Sequence, residues 1–187
     1  MNRRMALFVL SAVGAVLFAA AAAREDDGKG QWYKADLKAL NNSGVEGTAW
    51  FHLKGDQLKV DVKATGLVPN QSHPMHVHGF RDGKASACPP EGADTNRDGV
   101  ISLDEIQTYV GMPLVDITGA NVGEDGTLKF SKTIKVDPSQ VEPLDMRSFV
   151  IHGMKVRGSY DATTPVACGQ LQVSQRKGLE EDIRDIF

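Results

Sequence analysis

From Trp32 onward the chain alternates apolar and polar residues. "WYKADLKAL", "GTAWFHLKG" and "DQLKVDVKATGL" each place apolar side chains at nearly every second position, and "NNSG" and "KGD" separate them. A period of two turns successive side chains to opposite faces of a strand. The intervening Gly, Asn, Asp and Ser clusters are turn formers. Such text predicts an antiparallel sheet with one face packed and one wet. Strand-like segments resume with "GTLKFSKTIKV", "RSFVIHGMKV" and "VACGQLQVS", so the fold class is all-β.

Two ends of the chain read differently. "MNRRMALFVLSAVGAVLFAAAAARE" has Arg3 and Arg4, an apolar run from Met5 to Phe18, and small residues to Ala23. That is the layout of a secretory signal peptide, residues 1–23, with the exported chain starting near Arg24. An uncleaved anchor fits less well because the strongly apolar part is short. Residues 24–187 contain no second apolar run and make one domain with no membrane span. The tail "RKGLEEDIRDIF" sets Leu179, Ile183 and Ile186 at helical spacing and reads as a short helix or a frayed end.

Loss of Arg3 and Arg4 moves the formal charge from −3 to −5. An acidic surface repels a phosphate backbone, which excludes nucleic acid as the expected partner. Two cysteines, Cys88 and Cys168, remain in an exported chain. An even count in an oxidising compartment favours a disulfide, worth roughly 4 kcal/mol in the chain-entropy model. The alternatives are two buried thiols or, less favourably, a metal site. The expected compartment is secreted or periplasmic.

The alternation stops between Arg81 and about Met112. Connections of this length in a compact domain carry function or structure of their own. Within it lies "DTNRDGVISLDE", Asp94 to Glu105, which fits a twelve-residue EF-hand calcium loop throughout. Asp94, Asn96 and Asp98 hold positions 1, 3 and 5, with Gly99 at the sharp turn. Val100 offers its carbonyl at position 7, Ser102 sits at 9 and Glu105 supplies the bidentate carboxylate at 12. "SLDEIQTYV" predicts a following helix. "SACPPEGA" cannot form an entering helix, because two prolines remove backbone donors and clash with the preceding turn. The insertion at about 89–112 is therefore a lone loop, expected to hold calcium structurally with an affinity of about 10⁻⁴ to 10⁻³ M.

"PMHVHGF" places His76 and His78 on one face of a strand, with Met75, Val77 and Gly79 on the other. This is either a metal clamp or a polar strand face. His152, in the apolar "FVIHG", is the candidate third nitrogen. Imidazole suits copper, zinc, iron and nickel, so the donors alone leave the metal open. His52 reads as a solvated strand residue, His73 as a hydrogen-bonding prop, and Met75 and Met154 as core.

"GTAWFHLKGDQLKVDVKATGL", "HVHGF" followed by Cys88, "RSFVIHG" and "ACGQL" together resemble, in that order, the copper/zinc superoxide dismutase family. The resemblance covers nearly all of residues 24–187 apart from the calcium insertion and the tail. It implies an eight-stranded Greek-key β-barrel, copper on His76, His78 and His152, and a Cys88–Cys168 disulfide. It also implies a structural role for His73.

Three departures from the family matter. No histidine lies between Cys88 and His152, so the bridging and zinc histidines are missing. Asp116 resembles the zinc aspartate, but Pro113 stands where its histidine partner is expected, and no zinc is expected to bind. Pro165 occupies the place of the catalytic arginine, which leaves Arg147 and Arg157 as the nearby guanidinium groups. Two functions follow from the resemblance: a non-enzymatic copper carrier, storage or delivery protein served by a copper donor or acceptor protein, or a copper-dependent enzyme that dismutes superoxide.

Overall fold

The computed structural model describes residues 30–175, apart from 118 and 120. The leader and the tail helix fall outside the described residues. The predicted strands appear in order as β1 (Gln31–Ala39), β2 (Glu46–Lys54), β3 (Gln57–Thr65) and β4 (Met75–Gly79). After the insertion come β5 (Met112–Asp116), β6 (Leu128–Lys135), β7 (Ser148–Val156), β8 (Ser159–Gln170) and a short β9 (Gln172–Ser174). All neighbouring strands pair antiparallel.

The sheet follows the order β5-β4-β7-β8-β1-β2-β3-β6, and β9 pairs with β1 off this path. It curls into a half-barrel. The expected eight strands are thus joined by a ninth, and among the described residues no ladder joins β5 to β6. Both path ends blunt an exposed edge: β5 carries Pro113, and β6 carries Lys129, Lys132 and Lys135.

Alternation puts Tyr33, Ala35, Phe51, Val60, Val62, Met75, Val77, Phe149 and Ile151 into one apolar core, with Phe51 and Phe149 edge to face at 5.3 Å. The opposite face of β4 and β7 carries His76, His78, Val150 and His152. Val150 and Cys168 are covered there by Ala93, Ile101, Ile106 and Val110 of the insertion, a second, smaller core. The sheet is therefore buried on both sides where the histidines stand.

The insertion builds its own local order. Residues Glu91–Ala93 form a 3₁₀ turn, and helix α1 spans Leu103–Val110. Ser102 caps α1: its Oγ accepts from the Glu105 amide, and the Glu105 carboxylate accepts from the Ser102 backbone. Ile106 and Val110, four residues apart, face the sheet. A one-turn helix α2 (Pro138–Val141) follows β6. Cys88 and Cys168 are joined by a disulfide across 80 residues, with Cα atoms 5.7 Å apart. It fastens the start of the insertion to β8.

Candidate metal centre

The described residues place His76, His78 and His152 together, with one ring nitrogen from each within 4.8 Å of the others. β4 supplies the first two from alternate positions. β7 supplies the third through an irregularity on either side of His152, where the register with β8 shifts. Gly153 permits this break with φ +108, and a Cβ there would strike Tyr160 and His73. His78 and His152 are buried, and His76 is about one-fifth exposed.

Each imidazole has one nitrogen engaged and one unpartnered. His78 Nδ1 donates to the Gly111 carbonyl at 3.1 Å, and His152 Nδ1 donates to the Thr163 carbonyl at 2.9 Å. A carbonyl only accepts, so the proton sits on Nδ1 and leaves a lone pair on Nε2. His76 Nε2 lies 3.6 Å from Asp116 Oδ1. The remaining nitrogens, His76 Nδ1, His78 Nε2 and His152 Nε2, are buried without a hydrogen-bond partner. Buried polar atoms are seldom left so, and these three lie close enough together to share one ion. Ring nitrogens fixed from behind by a carbonyl or carboxylate are how proteins orient metal ligands.

Burial pushes His78 and His152 down to about 4, outweighing the carbonyl bonds that would raise them. Burial also lowers His76, against the opposing pull of Asp116. All three rings are neutral at pH 7, as ligation requires. This set can hold a metal ion.

The surrounding residues fix the backbone that carries the rings. His73 faces two carbonyls, with Nδ1 2.9 Å from His152 O and Nε2 3.0 Å from Val68 O, and so spans the loop before β4 and the strand carrying His152. Tyr160 Oη donates to Ser72 O at 2.5 Å beside it. Asp161 accepts from the amide and hydroxyl of Thr163 and the hydroxyl of Thr164, and so sets the carbonyl that holds His152. Gly111 must approach the backbone of Gly79 closely and has φ +78; a Cβ would collide with the Gly79 carbonyl. Its lack of a side chain lets the end of α1 reach His78.

The arginines take other roles. Arg147 is buried and donates to the carbonyls of Val141, Phe80 and Glu142 at 3.0 to 3.2 Å. Its guanidinium is occupied in holding loops. Arg157 sits exposed in the β7–β8 turn, five residues from His152, about 16 Å away at strand spacing. The carboxylate of Asp116, by contrast, stands beside His76. Met75 is fully buried in the core and Met154 packs at its margin, while His52 stacks on Trp32 at 4.3 Å between ring centres.

The residues expected to bind calcium run through one continuous loop into the first turn of α1, which holds Glu105. Asp94 accepts from the amides of Asp98 and Gly99, Asn96 from that of Asp98, and Asp98 from that of Val100. Glu105 folds back to accept from Thr95, Asn96 and Ser102. These bonds, led by the Ser102 amide, hold its carboxyl down at about 2. Among the described residues, the three histidines are the group of His, Cys, Asp or Glu side chains that converges on one point. The loop's carboxylates are spread along its own amides instead.

Comparisons with protein-family models and with curated proteins find no match to this chain. Sequence reasoning missed the supporting residues Gly111 and Thr163, whose carbonyls meet His78 and His152 only once the strands have paired. The glycine ending a predicted helix was the one local signal, marking a stop without showing what its carbonyl meets.

Proposed function

We propose that this is an exported copper-binding protein with a superoxide-dismutase-like Greek-key fold, acting as a carrier, store or donor of copper, with calcium ordering the inserted loop. One observation carries the metal reading: three buried imidazole nitrogens with no hydrogen-bond partner, brought together from two strands. The donors alone leave the metal open, and copper is favoured among the imidazole metals by the resemblance of the sequence to the copper/zinc superoxide dismutase family. The strand order, with crossovers from β3 to β6 and from β4 to β7, supports the Greek-key reading. The disulfide supports an oxidising compartment, and no described helix is long and apolar enough to cross a membrane.

Carriage is favoured over dismutation by the charge at the site. Asp116 presents a carboxylate beside His76, while Arg147 is spent on carbonyls. A carboxylate attracts a cation and repels an anion such as superoxide. The enzyme reading keeps one support, since three protein ligands leave a position open for a small molecule.

The test is to load residues 24–187 with copper, measure the metal content, and assay superoxide removal beside a His152→Ala variant. One copper per chain without activity above free-ion controls is the expected result. Activity that depends on His152 would establish the enzyme instead, and absence of copper uptake would end both readings.

A further inference from the structure

The midpoint of the inserted loop is paired by a side chain from outside the insertion. Asn41, in the β1–β2 turn, accepts from the Ile101 amide at 2.7 Å through Oδ1 and donates to the Ile101 carbonyl at 3.0 Å through Nδ2. One side-chain amide thus satisfies both backbone groups of one residue, as an adjacent strand would. Ile101 is 6% exposed, so those groups need a protein partner.

The same Nδ2 also donates to the Pro165 carbonyl at 2.9 Å. Pro165 is the residue of β8 that stands opposite His152. The turn holding Asn41 is tied to the next residue of β8, with Leu40 N and Ser43 Oγ both donating to Val166 O. Asn41 therefore joins the insertion to the strand that backs His152. Two residues beyond Ile101, α1 begins, and the glycine that ends it holds His78.

We propose that Asn41 is a positioning residue of the metal centre. Its amide fixes the insertion against β8, so that Gly111 and Thr163 present their carbonyls to His78 and His152 in register with each other. This rests on the three-histidine reading of the centre. The insertion then works as the second wall of the site.

The test uses Asn41→Gly, which keeps the left-handed backbone (φ +55) and removes the amide. A second variant, Asn41→Asp, keeps the acceptor for Ile101 and loses both donated bonds. The full exported chain, wild type and variants, is given one equivalent of Cu(II). Its electron paramagnetic resonance spectrum is recorded, and its affinity is measured by chelator competition, with circular dichroism to check the fold.

The expected result is a changed copper hyperfine pattern and an affinity weaker by about tenfold in Asn41→Gly, the scale of losing a residue that orients a ligand. Asn41→Asp should fall between it and wild type. A folded Asn41→Gly with the wild-type spectrum and affinity overturns the proposal. If Asn41→Gly does not fold, a wild-type spectrum and affinity in Asn41→Asp overturns it. Failure of the wild type itself to take up copper overturns the metal reading beneath it.

Discussion

The metal-free protein should lose stability as the pH falls from 6.5 to 5, before most carboxylates titrate. His78 and His152 are held down at about 4 by burial, whereas the same rings in the unfolded chain titrate near 6.5. As the pH drops through 6.5 the unfolded chain takes up protons that the folded chain refuses, and unfolding is favoured. The stabilising contribution is complete above 6.5 and is lost progressively down to about 4. At pH 5 the loss is about 2 kcal/mol for each ring, or about 4 for the pair. His76 is lowered too and acts in the same direction. The carboxyls that are shifted, including Glu105, Asp125, Asp137 and Asp161, all move down, so they stay charged in this window.

Urea unfolding after exhaustive chelation measures the effect. With a slope of about 2 kcal/mol per molar for a domain of this size, the midpoint should fall by about 2 M between pH 6.5 and 5. A His78→Asn, His152→Asn double variant keeps a donor for Gly111 and Thr163 and removes the titrating rings. Its midpoint should fall far less across the same interval, by what the remaining His76 contributes. A wild-type midpoint that barely moves, or a double variant that falls as steeply, would refute the claim that these rings are buried in their neutral form.

Other perturbations separate the remaining claims. Replacing both Cys88 and Cys168 by serine should cost about 4 kcal/mol, read from urea midpoints, because the bond closes a long loop. Arg147→Met should destabilise by about 3 kcal/mol through three orphaned carbonyls yet leave copper affinity near wild type; a large loss of affinity would mean the guanidinium serves the metal. Asp116→Asn should weaken copper binding by about tenfold, since His76 loses its charged support; chelator competition reports it. Calcium at millimolar concentration should protect the amides of residues 94–105 in hydrogen exchange, and Glu105→Gln should abolish that protection; equal protection with and without calcium would remove it from the account.

The parts of this molecule that were legible in its sequence are those governed by local rules. The alternation in β1 to β3 sets which side chains enter the core, and the same rule sends His76 and His78 to one face. The helical sequence "SLDEIQTYV" announces α1. What stayed hidden depends on pairing at a distance. Arg147 offered a free guanidinium on paper, but the loop carbonyls of Phe80, Val141 and Glu142 claim it once the chain has folded. Asn41 reads as an ordinary turn residue, because nothing near it shows that Ile101 and Pro165 will lie within reach. The ninth strand escaped for a similar reason, since Gln172–Ser174 reads as the end of the strand-like "VACGQLQVS" and becomes a separate strand by pairing with β1.

The central claim is that three histidine nitrogens share one metal ion. The direct measurement is a Cu(II) titration of the chelator-treated chain followed by electron paramagnetic resonance, repeated with His152→Ala. The account predicts saturation at one ion per chain with hyperfine structure from three nitrogens, and loss of one nitrogen and most of the affinity in the variant. Saturation at no defined ratio, or an unchanged spectrum in His152→Ala, would contradict it.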